Sequence, residues 1–180
     1  IDTINNYIIS KKISNQSTNI LVINNSLDNR NINRVKNLTT HSDIIKKISD
    51  ENVITIDTEN LLNIHDDILK NINFIAIDEC QFFPDLSPFV RKMLDQKKDI
   101  ICSGLIADVK KLKFGQLLDI FPLADNIIQL KSYCVYCKDT YFKTAAFTSS
   151  RKKDIPLNNN TIYVSAGEDY QPVCGKHYVQ

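Results

Sequence analysis

The sequence predicts an α/β domain built on a parallel sheet, followed by a smaller unit held by a metal. Three observations carry this reading. Short, almost wholly apolar runs recur at residues 20–23, 53–56, 74–77, 100–102 and 127–130. Runs of that length and composition mark strands buried on both faces, and helical patterns between them imply parallel pairing. Beyond Leu130 the alternation stops, and two knuckles appear, Cys134-x-x-Cys137 and Cys174-x-x-His177.

Taken in order, Ile1, Ile4, Ile8 and Ile9 recur at helical spacing and predict an amphipathic helix over 1–13. No capping residue precedes it, so the pattern predicts further residues before Ile1. Ile20-Leu21-Val22-Ile23 is the first buried strand, and the Asn-rich stretch 24–40 reads as a long loop. A helix is expected over 43–49. Val53-Ile54-Thr55-Ile56 is the second strand. Leu61, Leu62, Ile64, Ile68 and Leu69 lie on roughly one face of a helix across 58–70. Phe74-Ile75-Ala76-Ile77 is the third strand, ending at Asp78-Glu79. A helix near 85–97 tolerates Pro88 in its first turn. Ile100-Ile101-Cys102 is the fourth strand, a helix is expected from Phe114 to just before Pro122, and Ile127-Ile128-Gln129-Leu130 is the fifth strand. In the last third, 141–149 alternates as a strand does, 151–160 is a basic, Asn-rich loop, and Thr161-Ile162-Tyr163-Val164 is a further strand candidate. The domain division is 1–130 and 131–180.

Composition sets bounds. The chain has 180 residues, 43% of them hydrophobic, with a net charge of +1. That is enough apolar material for a core, so disorder is not the default. Bulk charge points to neither nucleic acid nor an anionic membrane. No apolar run reaches membrane-spanning length, and no signal peptide opens the chain. Five cysteines without a secretory signal argue against a disulfide scaffold. Cys80 and Cys102 sit in apolar runs and read as small core residues.

Cys134, Cys137, Cys174 and His177 have the spacing of a zinc site. A two-residue spacer lets both side chains of one turn reach one ion, and two such turns complete a tetrahedron. Four protein ligands close the site, so the metal is structural. Metal binding of this kind supplies on the order of 10 kcal/mol, which substitutes for the missing core of residues 131–180. A single C-x-x-C would leave a redox pair open; two knuckles favour zinc.

The pair Asp78-Glu79 ends an apolar strand. In phosphate-transferring enzymes the first acid of such a pair helps hold Mg²⁺ and the next acts on the nucleophile. Strands also end in acids simply because loops are polar. A phosphate-cradling G-x-x-x-x-G-K-[ST] loop is absent: the glycines are Gly104, Gly115, Gly167 and Gly175, and none heads that pattern. Either the loop lies before the first helix, ahead of Ile1, or the chain is one without ATP chemistry; the uncapped start at Ile1 favours the former.

In order and spacing these residues resemble the zinc-bearing thymidine kinases. The resemblance rests on Ile77-Asp78-Glu79-Cys80-Gln81-Phe82-Phe83-Pro84-Asp85, on Lys113-Phe114-Gly115-Gln116-Leu117-Leu118 with Phe121-Pro122-Leu123-Ala124-Asp125, and on the four zinc ligands preceded by Tyr170-Gln171-Pro172-Val173. Leu21-Val22-Ile23, Asp28-Asn29-Arg30 and Thr40-His41 are similar to the family's early segment. It implies a P-loop NTPase-like (RecA-like) domain with a zinc-ribbon lasso, and transfer of the ATP γ-phosphate to the 5′-hydroxyl of thymidine. Glu79 is then the general base, and Asp78 holds Mg²⁺ through water. Gln81, Asp28 and Arg30 lie on the nucleotide side. Phe82, Val109 and Phe114 line the base pocket, and Thr161, Ile162, Tyr163, Val164, Ser165 and Tyr170 form the loop over thymidine. For Phe82, Phe114 and Tyr170 plain packing roles stay open. A cytoplasmic homotetramer, acting in DNA-precursor synthesis with no membrane or nucleic-acid partner, is implied as well.

Three positions depart from the family. Ile106 stands where an Asp is usual, Val109 where a Phe is common, and Ser165-Ala166 where Gly-Gly is usual. They leave two other readings open: a relative that keeps the fold without the chemistry, and a zinc-ribbon nucleic-acid binder, for which Arg151-Lys152-Lys153 is the one basic run.

Overall fold

A computed structural model of the chain describes residues 19–26, 37–39, 45–47, 53–137, 143–150 and 169–178. They belong to two compact units. The first takes residues up to Leu105 with Gly115–Ile120; the second takes Ile106–Phe114 and the chain from Phe121 on.

The first unit is organised by a four-stranded parallel sheet. Its strands are β1 (Ile20–Asn25), β4 (Val53–Thr58), β5 (Phe74–Ile77) and β6 (Asp99–Cys102), in the order β4-β1-β5-β6. Burial follows the order. The central strands β1 and β5 are buried at every position, whereas β4 and β6 at the edges are only partly covered. Accordingly Ile20–Ile23 of β1 and all of β5 are apolar. The register aligns Ile23 with Ile77 and Ile77 with Cys102. Asp78 and Ser103 therefore leave neighbouring strands side by side at the carboxyl edge of the sheet, where open α/β sheets place their ligands.

Helix α1 (Asp66–Lys70) is short, and helix α2 (Leu86–Asp95) supplies most helical packing. Leu86, Phe89, Val90 and Met93 are its buried positions, spaced i, i+3, i+4, i+7. Before α2, the Asp85 carboxylate accepts from Leu61 N (3.1 Å) and Leu62 N (2.8 Å), pinning the 3-10 turn Leu61–Asn63. Lys98, largely buried, donates from Nζ to the carbonyls of Leu69 and Ile72 at 2.7 and 2.8 Å.

Several expected elements differ. Instead of a helix over 43–49, β3 (Ile45–Lys47) pairs antiparallel with β2 (Asn37–Thr39), which lies within the expected loop. Seven residues are too few to offset helix nucleation, and Ile45 suits a strand. The single helix across 58–70 is broken. Thr58 ends β4, its hydroxyl accepts from Asn60 N, and Asn60 and Ile64 are extended, leaving a 3-10 turn and α1. The helix from Phe114 is a 3-10 segment, Leu117–Leu123, running through Pro122. Residues 127–130 form no strand; Ile128 is 74% and Leu130 89% exposed. Their apolar character was sufficient for a strand but no ladder takes them up. The expected elements at 1–13 and 161–164 lie outside the described residues, as do Tyr141 and Phe142.

The second unit is made of small antiparallel pieces. β7 (Ser132–Tyr133) pairs with β8 (Thr144–Ala145), and β9 (Phe147–Ser150) with β10 (Tyr170–Val173). Its buried centre is Cys134, Val173 and Cys174, flanked by Val135, Cys137, Phe147 and Tyr178. Among the described residues no helix is long and apolar enough to cross a membrane.

Candidate active site and metal centre

The acidic turn begins where β5 ends. Asp78 continues the ladder, donating its N–H to Ile23 O at 3.0 Å. Its Oδ1 accepts from Ser103 Oγ at 2.6 Å and from Glu79 N at 2.9 Å. Two donors on one oxygen fix the orientation of the carboxylate. Sequence reasoning missed Ser103, because only the strand register sets it opposite Asp78.

Glu79 sits at φ 49°, ψ 47°, the left-handed region. That conformation costs a non-glycine residue about 1–2 kcal/mol and concentrates at functional sites. It turns the chain sharply into the 3-10 segment Cys80–Phe82. Cys80 N donates to Ser103 O at 2.8 Å, locking the turn to the next strand's exit. Glu79 accepts from Gln81 Nε2 at 2.5 Å, and Gln81 Oε1 accepts from Leu105 N at 2.9 Å. Asp78 and Glu79 are half-buried, Phe82 is half-buried, and Gln81 is buried. The Cys80 side chain is enclosed and donates to Ile77 O; burial pushes its thiol well above 9.0, so it stays neutral. The turn thus presents two carboxylates at a sheet edge, each held by hydrogen bonds from its neighbours.

In the second unit the ligand atoms of Cys134, Cys137, Cys174 and His177 all lie within 4.8 Å of one another. The sulfurs of Cys134, Cys137 and Cys174 stand 3.5, 3.4 and 3.5 Å from His177 Nδ1, and Cys137 Sγ stands 3.9 Å from Cys174 Sγ. A tetrahedron with metal–sulfur arms of about 2.3 Å has edges of about 3.8 Å, so these spacings fit one ion. Each knuckle is closed by a backbone bond, Cys137 N to Cys134 O and His177 N to Cys174 O. The thiols titrate apart. Burial opposes ionisation of Cys134, but the N–H groups of Cys174 and Tyr136 and the side chains of His177 and Cys137 bring it from 9.0 to about 6. Burial and the adjacent thiols Cys134 and Cys174 raise Cys137 to about 11. One thiolate forms readily and resists a second, which is the charge pattern a cation relieves.

The sequence profile of the thymidine kinases matches residues 4–178. The chain belongs to the thymidine kinase family. It is 34% identical over 174 residues to the thymidine kinase of Amsacta moorei entomopoxvirus, covering 95% of this chain and 84% of that one. The Oryza sativa subsp. japonica thymidine kinase is 37% identical over 109 residues, 60% of this chain and 37% of the plant protein. The thymidine kinase of Vaccinia virus (strain Ankara) is 32% identical over 116 residues, 63% of this chain and 61% of the viral one. The chain thus spans less than two thirds of the latter two relatives. The cluster of three cysteines and a histidine is consistent with the zinc-bearing type of thymidine kinase, and the parallel sheet with its α/β fold.

The remaining site candidates of this thymidine kinase family member fall as follows. Asp78, Glu79, Gln81 and Phe82 come together on one turn. Val109, Phe114 and Tyr170 belong to the second unit. Val109 lies on the segment 106–114, closed by the bonds Asp108 N to Leu112 O and Phe114 N to Ile106 O. Tyr178 Oη donates to Val109 O at 2.5 Å, and Lys111 Nζ stands 3.7 Å from the Tyr178 ring centre and 4.3 Å from that of Phe147. These contacts tie the segment to the residue next to a metal ligand, a link no spacing rule reveals. Tyr170 opens β10 opposite Ser150. Ile106 is 40% exposed. Asp28, Arg30, Thr161, Ile162, Tyr163, Val164 and Ser165 lie outside the described residues.

Proposed function

We propose that the protein transfers the γ-phosphate of ATP to the 5′-hydroxyl of thymidine, with Glu79 as general base. One observation carries the assignment within the family: Glu79 is presented by a left-handed turn at the carboxyl end of β5, beside an Asp78 fixed by Ser103. The Glu79 carboxylate takes the 5′-hydroxyl proton as that oxygen bonds to the γ-phosphorus. The bond from the γ-phosphorus to the β,γ-bridging oxygen breaks, and ADP leaves with that electron pair. Mg²⁺ bound with ATP would neutralise charge on the phosphates, and Asp78 would hold it through water.

The reading gives the other residues the following parts. Asp28, Arg30 and Gln81 serve the nucleotide side, and Arg30 offsets charge on the phosphates. Phe82, Val109 and Phe114 wall the base. Thr161, Ile162, Tyr163, Val164, Ser165 and Tyr170 close over it. Zn²⁺ held by Cys134, Cys137, Cys174 and His177 stiffens the unit that carries this loop, with 1–130 as the nucleotide domain and 131–180 as the lasso. Deoxyuridine is the expected second substrate, and the working form is a cytoplasmic homotetramer.

The test is product formation by the full-length protein with ATP, Mg²⁺ and thymidine. Thymidine monophosphate appearing with equimolar ADP supports the reading. A folded, zinc-loaded protein that makes none would sink it, and would point to the substitutions at Ile106, Val109 and Ser165-Ala166.

A further inference from the structure

We propose that Gln81 is a positioning residue for the base: its carboxamide sets the orientation of the Glu79 carboxylate. This rests on the reading of Glu79 as general base. Gln81 is 4% exposed, unusual for a glutamine on a turn, and both ends of its carboxamide are used. Oε1 accepts from Leu105 N at 2.9 Å, and Nε2 donates to Glu79 Oε2 at 2.5 Å.

The two bonds determine each other. Leu105 offers a backbone N–H, which only the carbonyl end of the amide can meet. A flipped amide would set its NH₂ against that N–H and its oxygen against the carboxylate. The backbone of the segment leaving β6 therefore dictates that a donor faces Glu79. A glutamate at the same place would meet Leu105 equally well but present an anion to an anion.

The surroundings are shaped to admit this side chain. A Cβ on Gly104 would stand 2.4 Å from Gln81 Oε1 and 3.0 Å from Cys80 N. A Cβ on Gly115 would stand 2.3 Å from Gln81 O and 2.8 Å from its Cα. Two of the chain's four glycines thus lie bare against one residue. Gly104 leaves room for the amide, and Gly115 leaves room for the backbone that carries it. Within the Lys113-Phe114-Gly115-Gln116 motif, the glycine is thus the position that accommodates the Gln81 backbone.

The chemical consequence follows from the bond. A base acts only from the orientation that meets the reacting hydroxyl, and the bond from Gln81 Nε2 holds one oxygen of the Glu79 carboxylate in place.

Two variants of the full-length protein test this, Gln81→Met, which keeps length but loses the amide, and Gln81→Glu, which keeps shape and the Leu105 acceptor. Wild type and Glu79→Ala are assayed alongside. In both Gln81 variants kcat is expected to fall about 10- to 100-fold at neutral pH, with KM for thymidine within about twofold. An unchanged kcat in Gln81→Met, or a loss carried only by KM for ATP, overturns the proposal and leaves Gln81 a strut or solely a nucleotide contact. A second readout needs no turnover. In the ¹⁵N spectrum, one Gln81 side-chain proton should be shifted downfield and slow to exchange, and Glu79→Ala should abolish this. No change in Glu79→Ala overturns the coupling even if the enzyme is active. Absence of thymidine phosphorylation by wild type instead sinks the functional reading.

Discussion

Three glycines should respond to alanine in three different ways. Gly115 has φ +60°, and a Cβ there would lie 2.3, 2.8 and 2.9 Å from the O, Cα and C atoms of Gln81. The left-handed conformation alone costs an alanine about 1–2 kcal/mol. Relieving overlap with buried backbone adds about 1–3 kcal/mol, because that backbone cannot swing aside as a side-chain tip can. Gly115→Ala should therefore lose about 2–5 kcal/mol, an unfolding midpoint lower by about 1 M urea or more. Gly104→Ala meets the end of a side chain at 2.4 Å and Cys80 N at 3.0 Å. Gln81 can yield there, so stability should fall by only about 1–2 kcal/mol while activity falls with the displaced amide. Gly175 has Phe147 Cε2 as nearest neighbour at 3.5 Å, ordinary contact, so Gly175→Ala should stay within about 0.5 kcal/mol. Urea unfolding of the zinc-loaded proteins, followed by circular dichroism, measures all three. Equal midpoints for Gly115→Ala and Gly175→Ala would refute the reasoning.

Zinc should be lost progressively on acidification, because protons compete with the ion for the thiolates of Cys134, Cys137 and Cys174; zinc content flat from about pH 8 to about pH 4 would contradict this. Asp85→Ala removes two acceptor contacts to Leu61 N and Leu62 N and should cost about 1–2 kcal/mol in the same urea assay. Lys111→Gln removes the cation from the Tyr178 and Phe147 rings. It should lower stability by about 0.5–1 kcal/mol, and protease nicking of 106–114 should rise; unchanged nicking would count against that anchoring.

Four of the five apolar runs are strands, because burial on both faces leaves a signature that needs no neighbour to be read. The fifth, 127–130, has the same signature and no ladder. Composition reports a capacity for burial, whereas pairing depends on a free edge in register. The 3-10 segment Leu117–Leu123 differs from the expected α-helix for a related reason. Its apolar spacing suits either, and the difference lies in the left-handed Gly115 and the internal Pro122. At the site, the four metal ligands were legible because a chelate turn fixes their spacing. Asp78 and Glu79 were legible because a polar pair at the end of a buried run stands out. Ser103 was not, since it reaches Asp78 only through the β5–β6 register. The left-handed turn at Glu79 and the inward Gln81 were likewise hidden, because nothing in one sequence predicts where a glutamine's amide points.

The most direct test of the central claim is the turnover of full-length Glu79→Gln with saturating ATP and thymidine, at equal zinc content. The isosteric amide preserves the turn and removes the base. The account predicts that kcat drops by at least about 100-fold, the scale of general-base catalysis, with KM for thymidine little changed. A variant that keeps wild-type kcat would contradict it and move the chemistry away from the end of β5.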